Sequence, residues 1–166
     1  IVNKEAPFSQ AIIYGGDAVN GFFNTKDEDA KFHYHKRGSI AVPVVTDKGV
    51  LINLQFISPT GNKKFIKGGR KQRGFHLIEG GDPITVAVVE GYATGASVHN
   101  AMKWPTYVAS DTSNLVYIAK IARIQYPKAR IVVCGDNDQH TKDNPGLLKA
   151  RAAAQAVNGV ALVPEF

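Results

Sequence analysis

The second half of the chain alternates between short apolar runs and helical segments, and this alternation constrains the fold more than any other feature. Continuous apolar runs at Ile84–Val89 and Ile131–Gly135 are typical of strands buried on both faces. Shorter runs at Thr106–Ala109 and Gly159–Val163 bring the predicted strands to four. Strand–helix alternation implies right-handed crossovers, so we expect a parallel sheet with helices packed on it.

Three helices are predicted between these strands. A segment of small residues at Thr94–Met102 can lie close against a sheet. Apolar residues recur at three- and four-residue spacing from Leu115 to Tyr126, which predicts an amphipathic helix stopped by Pro127. The Ala-rich segment Leu147–Val157 is the third predicted helix.

The first half of the chain has the pattern of strands and turns. Glycine-containing turn sequences separate its alternating or apolar runs, and the third and fourth runs should pair as a hairpin. The runs are Ala11–Tyr14, Ile40–Thr46, Val50–Ile57, Lys63–Ile66 and Phe75–Glu79. We therefore predict an α/β protein with a strand-rich subdomain over residues 1–80 and an α/β subdomain over 81–166.

The positive charge of the chain is concentrated in its first half. From Ala30 to Ile78 there are ten Lys or Arg residues and one acid, Asp47, whereas from Gly81 to Phe166 eight bases face seven acids. The net charge of +6 therefore belongs to the front of the protein. Such asymmetry favours an anionic partner, nucleic acid first, although a soluble basic surface explains it too.

The remaining bulk features exclude several classes of protein. Cys134 is the only cysteine and lies in an apolar run, which excludes an internal disulfide and fits a reducing, cytoplasmic compartment. No apolar run approaches the about 20 residues of a membrane-spanning helix, so no membrane partner is expected. We find no secretory signal, and the absence of an initiator Met leads us to expect a fragment of a longer protein.

Acidic residues follow two of the predicted parallel strands. Glu90 comes directly after Ile84–Val89, and Asp136 and Asp138 come directly after Ile131–Gly135. Ligands of parallel sheets gather at the carboxyl ends of the strands, and residues i and i+2 of an extended backbone face the same side. The three carboxylates should therefore reach one site. Because gathered carboxylates repel one another, a hard divalent cation such as Mg²⁺ is their usual partner, and such a site suits phosphoryl transfer.

At this point the residues resemble a known family. A strand-end Glu followed by a later Asp-x-Asp is the mark of the toprim domain of DnaG-type primases, topoisomerases and some nucleases. Glu90-Gly-Tyr-Ala-Thr-Gly-Ala-Ser97 and Asp136-Asn-Asp138 are most similar to the primases of plasmids and phages. The preceding segment, from Arg37-Gly-Ser-Ile through Leu54-Gln-Phe-Ile57 to Lys63-Lys-Phe-Ile-Lys67, resembles the strand-rich subdomain that precedes toprim in those enzymes.

The resemblance implies a DNA primase core that synthesises RNA primers from NTPs on single-stranded DNA. It implies Mg²⁺ or Mn²⁺ as cofactor, held by Glu90, Asp136 and Asp138, with Glu90 assisting proton transfer. It also suggests a replicative helicase, or a helicase domain of the parent chain, as a partner. The basic residues expected to face template or nucleotide phosphates are Lys63, Lys64, Lys67, Arg70, Lys71 and Arg73.

The sequence departs from the family pattern at several points. Many primases carry a further Asp at the position of Thr94, and Asp111 is a candidate to replace that ligand. Asp111 is equally well explained as the cap of the helix that follows. The loop Gln139–Gly146 is longer than in chromosomal primases, and the zinc module that precedes their cores is absent from this sequence.

Other functions and sites remain open at this level. The same carboxylates would serve a toprim nuclease, and a non-catalytic single-strand-binding module is the alternative from another class. A topoisomerase is disfavoured, since no domain presenting a nucleophilic Tyr is evident. His33 and His35 could hold zinc but lack a third ligand. Gly68-Gly69 could form a phosphate-holding loop or a simple turn.

Overall fold

The structure is a computed structural model that describes residues 12–13, 38–136, 141 and 144–164. Asp138 and the His33–His35 pair lie outside the described residues, and so does the stretch 14–37. The described residues form two sheets, one of four strands and one of five.

The first sheet is antiparallel, and its strands follow one another in chain order. They are β1 (Ile12–Ile13), β2 (Ile40–Val45), β3 (Leu51–Ile57) and β4 (Lys63–Phe65). The predicted hairpin is confirmed, because β3 and β4 pair with Ile57 opposite Lys63. In its turn Gly61 has a φ of 82°, a left-handed conformation that glycine adopts without steric cost.

The second sheet contains the four predicted parallel strands. The strands of this sheet are β5 (His76–Ile78), β6 (Thr85–Val89), β7 (Thr106–Val108), β8 (Arg130–Cys134) and β9 (Val160–Leu162). Their order across the sheet is β5-β7-β6-β8-β9, so β6 lies between β7 and β8. The pairs β6–β7, β6–β8 and β8–β9 are all parallel, as the strand–helix alternation predicts.

One strand of the second sheet is antiparallel to its neighbour. β5 falls within residues 1–80, yet it joins the second sheet, where His76 pairs antiparallel with Val108 of β7. An antiparallel edge strand completes the hydrogen bonds of its neighbour without a helical crossover, which is why no helix accompanies it. The division of the chain at residue 80 stays a prediction, although the strands change sheet between β4 and β5.

Helices cover both faces of the second sheet, and all three were predicted. They are α1 (Tyr92–Met102), α2 (Leu115–Gln125) and α3 (Pro145–Gln155). α1 lies so close to one face that a Cβ atom on Gly95 would stand 2.9 Å from Val108 and 3.0 Å from Val89. α2 packs against β6, and α3 against β8 and β9, on the opposite face, where Val86 and Val88 point by strand alternation.

The third helix begins two residues earlier than predicted. Asn144 caps it, since its side-chain oxygen accepts a hydrogen bond from the Leu147 backbone N–H at 3.2 Å. Pro145 occupies the first helical position, where its missing N–H removes no helical hydrogen bond. The apolar periodicity did not predict this start, because Asn144 and Pro145 precede the first large apolar residue of the helix.

The two sheets are joined by backbone and aromatic contacts. Val45 and Phe75 exchange two backbone hydrogen bonds of 2.8 and 2.9 Å, which tie β2 to the segment entering β5. The Phe75 ring lies 5.0 Å from that of the fully buried Tyr107 in the main core. His76 donates from Nδ1 to the Pro43 carbonyl at 3.1 Å, and burial lowers the pKa of this imidazole to about 4. The histidine is therefore neutral at pH 7 and acts as a structural donor.

The two adjacent glycines at the entrance to β6 offer a matched test of this packing. A Cβ atom on Gly80 would stand 2.4 Å from the Pro105 nitrogen and 2.6 Å from the Lys103 oxygen, whereas one on Gly81 would meet nothing within 4 Å. Gly80→Ala should therefore lower the free energy of unfolding by about 1–3 kcal/mol, because rigid backbone must move. Gly81→Ala should change it by less than about 0.5 kcal/mol. Urea denaturation of the two variants checks this, and equal midpoints would contradict the close approach.

Candidate metal and nucleic-acid site

The carboxyl edge of the second sheet brings two of the predicted acids to adjacent strands. β6 and β8 are neighbours with Val89 opposite Cys134, and strands in a sheet lie about 4.8 Å apart. Glu90 therefore stands level with Gly135, and Asp136 lies one residue beyond it. Glu90 is half-buried and Asp136 is exposed. The expectation that adjacent parallel strands place these residues at one edge is met by the described backbone.

Close packing determines how the chain leaves β8 toward Asp136. A Cβ atom on Gly135 would stand 2.6 Å from the Ala150 side chain of α3. The Gly135 N–H donates to the Leu162 carbonyl of β9 at 2.9 Å, which extends the parallel pairing past the end of β8. Asp136 is therefore the first residue able to leave the sheet. The packing of α3 therefore requires a glycine at position 135, directly before Asp136.

A cleft of about 560 Å³ opens beside Asp136 on the α1 side of the sheet. It lies between the first turns of α1 and the ends of β8 and β9. Its lining residues are Thr94, Val98, Cys134, Gly135, Asp136, Leu162, Val163 and Pro164. Burial raises the pKa of the Cys134 thiol to about 11, so the thiol is uncharged at neutral pH, and Asp136 is the acidic residue in this lining. Thr94, where many primases have an Asp, faces the same cleft as Asp136.

Asp111 caps a short helical turn, one of the two roles that the sequence left open. Its Oδ1 accepts hydrogen bonds from the Ser113 backbone N–H at 2.8 Å and from the Ser113 hydroxyl at 2.7 Å. These bonds open the 3-10 helix Thr112–Asn114, which leads into α2. The two bonds from Ser113, hydroxyl first, lower the pKa of Asp111, and Lys71 Nζ adds to the effect from 3.9 Å. A metal-binding role for Asp111 stays a prediction, and its oxygens already have these partners.

The six predicted basic residues are all exposed, but they do not share one face. Lys63 and Lys64 are consecutive on β4 and therefore point to opposite sides of the first sheet. Lys63 turns toward the carboxyl edge, where its Nζ lies 3.5 Å from the Cβ position of Gly91, the residue after Glu90. Lys67 and Arg70 lie in the loop that follows β4, which leaves them available to a partner.

Two further basic residues reach the carboxyl edge from the same loop. Lys71 lies beside Asp111 and 5.0 Å from the centre of the Phe65 ring. The Arg73 guanidinium lies 4.8 Å from the centre of the Tyr117 ring on α2. Both cations therefore lie over aromatic rings next to the carboxyl edge, and this cation–π arrangement limits the movement of their side chains.

Asn114 attaches the basic loop, residues 66–75 between β4 and β5, to the second sheet, and the sequence analysis did not identify this residue. Its Nδ2 donates to the Gly74 carbonyl at 2.8 Å and to the Ala109 carbonyl at 3.0 Å, while its Oδ1 accepts from the Arg73 N–H at 3.1 Å. One buried amide thus fastens residues 73–74 to the end of β7. The available signal was a polar side chain directly before an apolar helical face.

Asn53 has a similar role beneath the other end of the loop. It is fully buried on β3, and its Oδ1 accepts hydrogen bonds from the backbone N–H groups of Leu54 at 2.8 Å and Ile66 at 3.2 Å. The chain then folds over this amide so closely that a Cβ atom on Gly69 would stand 2.5 Å from it. Gly69 is therefore needed for the loop to close over Asn53. The phosphate-holding role of Gly68-Gly69 stays a prediction.

Within the part of the chain that the structure describes, no three His, Cys, Asp or Glu side chains gather closely enough to hold a metal ion. Asp138, the third predicted ligand, lies outside that part. The described site therefore consists of two strand-end carboxylates, the cap Asp111, and the cations Lys63, Lys71 and Arg73. Carboxylates next to exposed basic side chains, at the carboxyl end of a parallel sheet, are typical of α/β domains that bind phosphate groups with the help of a divalent metal ion.

The comparison with known families agrees with this class. Residues 85–165 match the family model described as the Toprim domain. The matched range begins at β6 and includes Glu90, Asp136 and Asp138. The resemblance stated from the sequence is therefore confirmed.

Two curated relatives are DNA primases. A DNA primase TraC of Escherichia coli is 37% identical over 133 residues, covering 75% of this chain and 9% of the relative. A second DNA primase TraC of Escherichia coli is 35% identical over 133 residues, covering 75% of this chain and 12% of the relative. The chain thus spans about a tenth of the length of these relatives.

Solved structures show the same fold at low sequence identity. A DNA primase domain from Pseudomonas aeruginosa matches with a TM-score of 0.54 and 15% identity, over 95% of this chain and 49% of that one. The primase fragment of the bacteriophage T7 primase-helicase protein matches with a TM-score of 0.52 and 16% identity, over 80% of this chain and 55% of that one. The predicted α/β architecture with a preceding strand-rich part is a primase-type toprim fold. None of the helices in the described ranges has the length and apolarity needed to cross a bilayer.

Proposed function

We propose that this chain is the catalytic core of a DNA primase, which builds short RNA primers on single-stranded DNA from nucleoside triphosphates. The observation that carries the proposal is the position of Glu90 and Asp136 at the ends of adjacent parallel strands in a toprim domain. Identity of 35–37% with two DNA primases over 133 residues supports the same reaction.

The donor set at the carboxyl edge fits a divalent cation. Carboxylate oxygens are the ligands that Mg²⁺ and Mn²⁺ prefer, and a divalent cation would offset repulsion between like charges on neighbouring strands. Glu90, Asp136 and Asp138 would hold it. The buried hydroxyl of Ser110, beside Glu90, has no hydrogen-bond partner among the described residues and supports a polar ligand here. When bound, the cation would offset charge on the transferring phosphoryl group and orient the leaving pyrophosphate.

The chain's own side chains supply the remaining parts of the reaction. The Glu90 carboxylate would accept the proton of the attacking 3′-hydroxyl. The hydroxyl oxygen bonds to the α-phosphorus of the nucleotide while the bond to the leaving pyrophosphate breaks. The ammonium group of Lys63, held next to Gly91, lies where it can pair with a nucleotide phosphate. Lys67 and Arg70 extend from the loop that Asn53 and Asn114 hold at its two ends, and would contact the template backbone.

The primer end would then lie at the carboxyl edge and the template along the loop after β4, with a replicative helicase, or a helicase domain of the parent chain, as a partner. One of the structural neighbours is part of a primase-helicase protein, which supports a helicase as the partner of the parent protein. The cytoplasm of a bacterial cell is the compartment in which this reaction would occur, with a plasmid or phage as the source of the gene.

The first prediction concerns the cation. Asp136→Asn should abolish Mn²⁺ binding, measured by the electron paramagnetic resonance of free Mn²⁺, because one of the proposed ligands loses its charge. The same change should slightly raise the melting temperature in EDTA, since it relieves repulsion between carboxylates. Asp111→Asn should keep the Mn²⁺ affinity if Asp111 serves only as a cap. Unchanged affinity in both Asp136→Asn and Asp138→Asn would rule out the proposed site.

The second prediction concerns single-stranded DNA. Each neutralised phosphate contributes roughly 0.7 to the slope of log affinity against log salt. Replacing Lys63, Lys67 and Arg70 together by Gln should flatten the slope by about 2, because three phosphate contacts are lost. The matched control replaces three exposed lysines of the second half, Lys120, Lys128 and Lys149, which should leave the slope unchanged. Equal slopes for the two triple variants, measured by fluorescence anisotropy, would show that the loop does not hold DNA.

The reaction itself is tested by extension of a pre-formed RNA primer on single-stranded DNA with NTPs and Mn²⁺. We expect weak extension by this chain and little initiation from free nucleotides, since initiation needs a further nucleotide-binding place and the chain spans only about a tenth of its primase relatives. Glu90→Gln should reduce extension by about 100-fold or more, because electrostatic stabilisation of the phosphoryl group is the main catalytic effect available. Glu79→Gln, an exposed acid away from the edge, is the control and should extend normally.

The same assay separates the alternatives. Metal-dependent shortening of the DNA without extension would favour a toprim nuclease, which uses the same carboxylates. Tight DNA binding without extension or shortening would favour a non-catalytic single-strand-binding module.

A further inference from the structure

Ser110 has an unusual backbone at the carboxyl edge of the second sheet. Beyond the end of β7, the Ala109 N–H donates to the Val89 carbonyl and the Ser110 N–H to the Glu90 carbonyl, both at 2.8 Å. Ser110 is therefore the direct neighbour of Glu90 across the two strands. At this residue the chain turns away with a φ of +64°, in the left-handed region that residues other than glycine seldom adopt.

The identity of this residue is not explained by the turn. Glycine would make the same turn without a steric penalty, and asparagine tolerates it better than serine does. At Asn144 and Asn158 the left-handed conformation is occupied by the favoured residue type, and Lys103 adopts it as the C-cap of α1. Arg73 also adopts it, in the loop before β5, whereas Ser110 follows the end of a strand and lies beside Glu90.

The Ser110 hydroxyl adds a second unfavourable feature. Its Oγ is buried and has no hydrogen-bond partner within residues 38–136 or 144–164. Buried hydroxyl groups nearly always have partners, because losing water without replacement costs free energy. The nearest polar side chains along the chain are already occupied: Asp111 binds Ser113, and Asn114 binds the Gly74 and Ala109 carbonyls.

We propose that the Ser110 hydroxyl binds a water molecule of the divalent cation held at Glu90, and so positions the cation and its hydration shell. This inference rests on the proposed function. Mg²⁺ and Mn²⁺ keep several bound waters when carboxylates hold them, and those waters need hydrogen-bond partners in the protein. A hydroxyl both accepts and donates, so one side chain can orient such a water next to Glu90. Ser110 is thus a positioning residue, and it binds the cation's water instead of a protein group.

Two substitutions test this role through binding and stability, with no need for activity. Ser110→Gly removes both the backbone strain and the unpaired hydroxyl, and Ser110→Ala removes the hydroxyl alone. Each should raise the melting temperature in EDTA, Ser110→Gly by about 2–4 °C or more. Each should also weaken Mn²⁺ affinity about tenfold, the size expected when a residue that orients a metal's bound ligands is lost. Greater stability combined with weaker cation binding is a result that a purely structural residue would not give.

A matched control removes a side chain from the same left-handed backbone conformation elsewhere in the chain. Lys103→Gly removes a left-handed side chain at the far end of α1, and it should raise the melting temperature while leaving Mn²⁺ affinity unchanged. If both Ser110 variants bind Mn²⁺ within twofold of the wild type, the inference is wrong even though the cation site stands. If the wild-type chain binds no Mn²⁺, or Asp136→Asn binds it equally well, the cation site itself is wrong and this inference falls with it.

Discussion

The parallel pairing of β6 with β8 is the constraint on which the rest of the domain depends. Two strands that are distant in sequence run side by side with Val89 opposite Cys134, so the residues that leave them emerge at one edge. The pairing is buried on both faces, by α1 on one side and by α2 and α3 on the other. Because a slip of one residue would turn every side chain to the opposite face, burial on both sides holds the register. The spacing of Glu90 and Asp136 is a consequence of that register.

Three kinds of contact attach the basic loop to the two sheets. Backbone bonds between Val45 and Phe75 align the first sheet, the buried Asn114 amide holds residues 73–74 to the end of β7, and Asn53 supports the loop from below. None of these contacts involves a charge. The loop is therefore fastened by neutral hydrogen bonds that salt screens only weakly. Lys71 pairs with Asp111, and the exposed charges of Lys67 and Arg70 are left for the proposed contacts with phosphate groups. Such a division of roles suits a surface whose partner binds and dissociates.

Much of this architecture is predictable from the sequence, and the exceptions have a common cause. The four parallel strands, the three helices and the β3–β4 hairpin follow from local periodicity and turn residues, and the capping role of Asp111 follows from its place before a helix. The antiparallel docking of β5, the amide contacts of Asn114 and the approach of Lys63 to Gly91 depend on pairings between distant segments. The left-handed backbone of Ser110 leaves no trace in residue type, because the sequence there lacks the glycine that signals such a turn. Local patterns therefore identify the strand-end acids, and only the fold reveals what surrounds them.

Several unfavourable features of the molecule lie where the proposed chemistry would occur, although two further unpaired buried atoms, Asn53 Nδ2 and Gln55 Oε1, lie in the first sheet. Neighbouring strand-end carboxylates, a strained serine and an unpaired buried hydroxyl all lie at the carboxyl edge, while the sheet beneath them is apolar and closely packed. A bound cation would relieve two of these costs together, since it offsets the carboxylate charges and its waters satisfy the hydroxyl. The core must then be stable enough to hold the edge in place before the cation arrives. Preorganisation of this kind keeps the ligands from rearranging during phosphoryl transfer, and it accounts for a rigid parallel sheet beneath a site made almost entirely of loop residues.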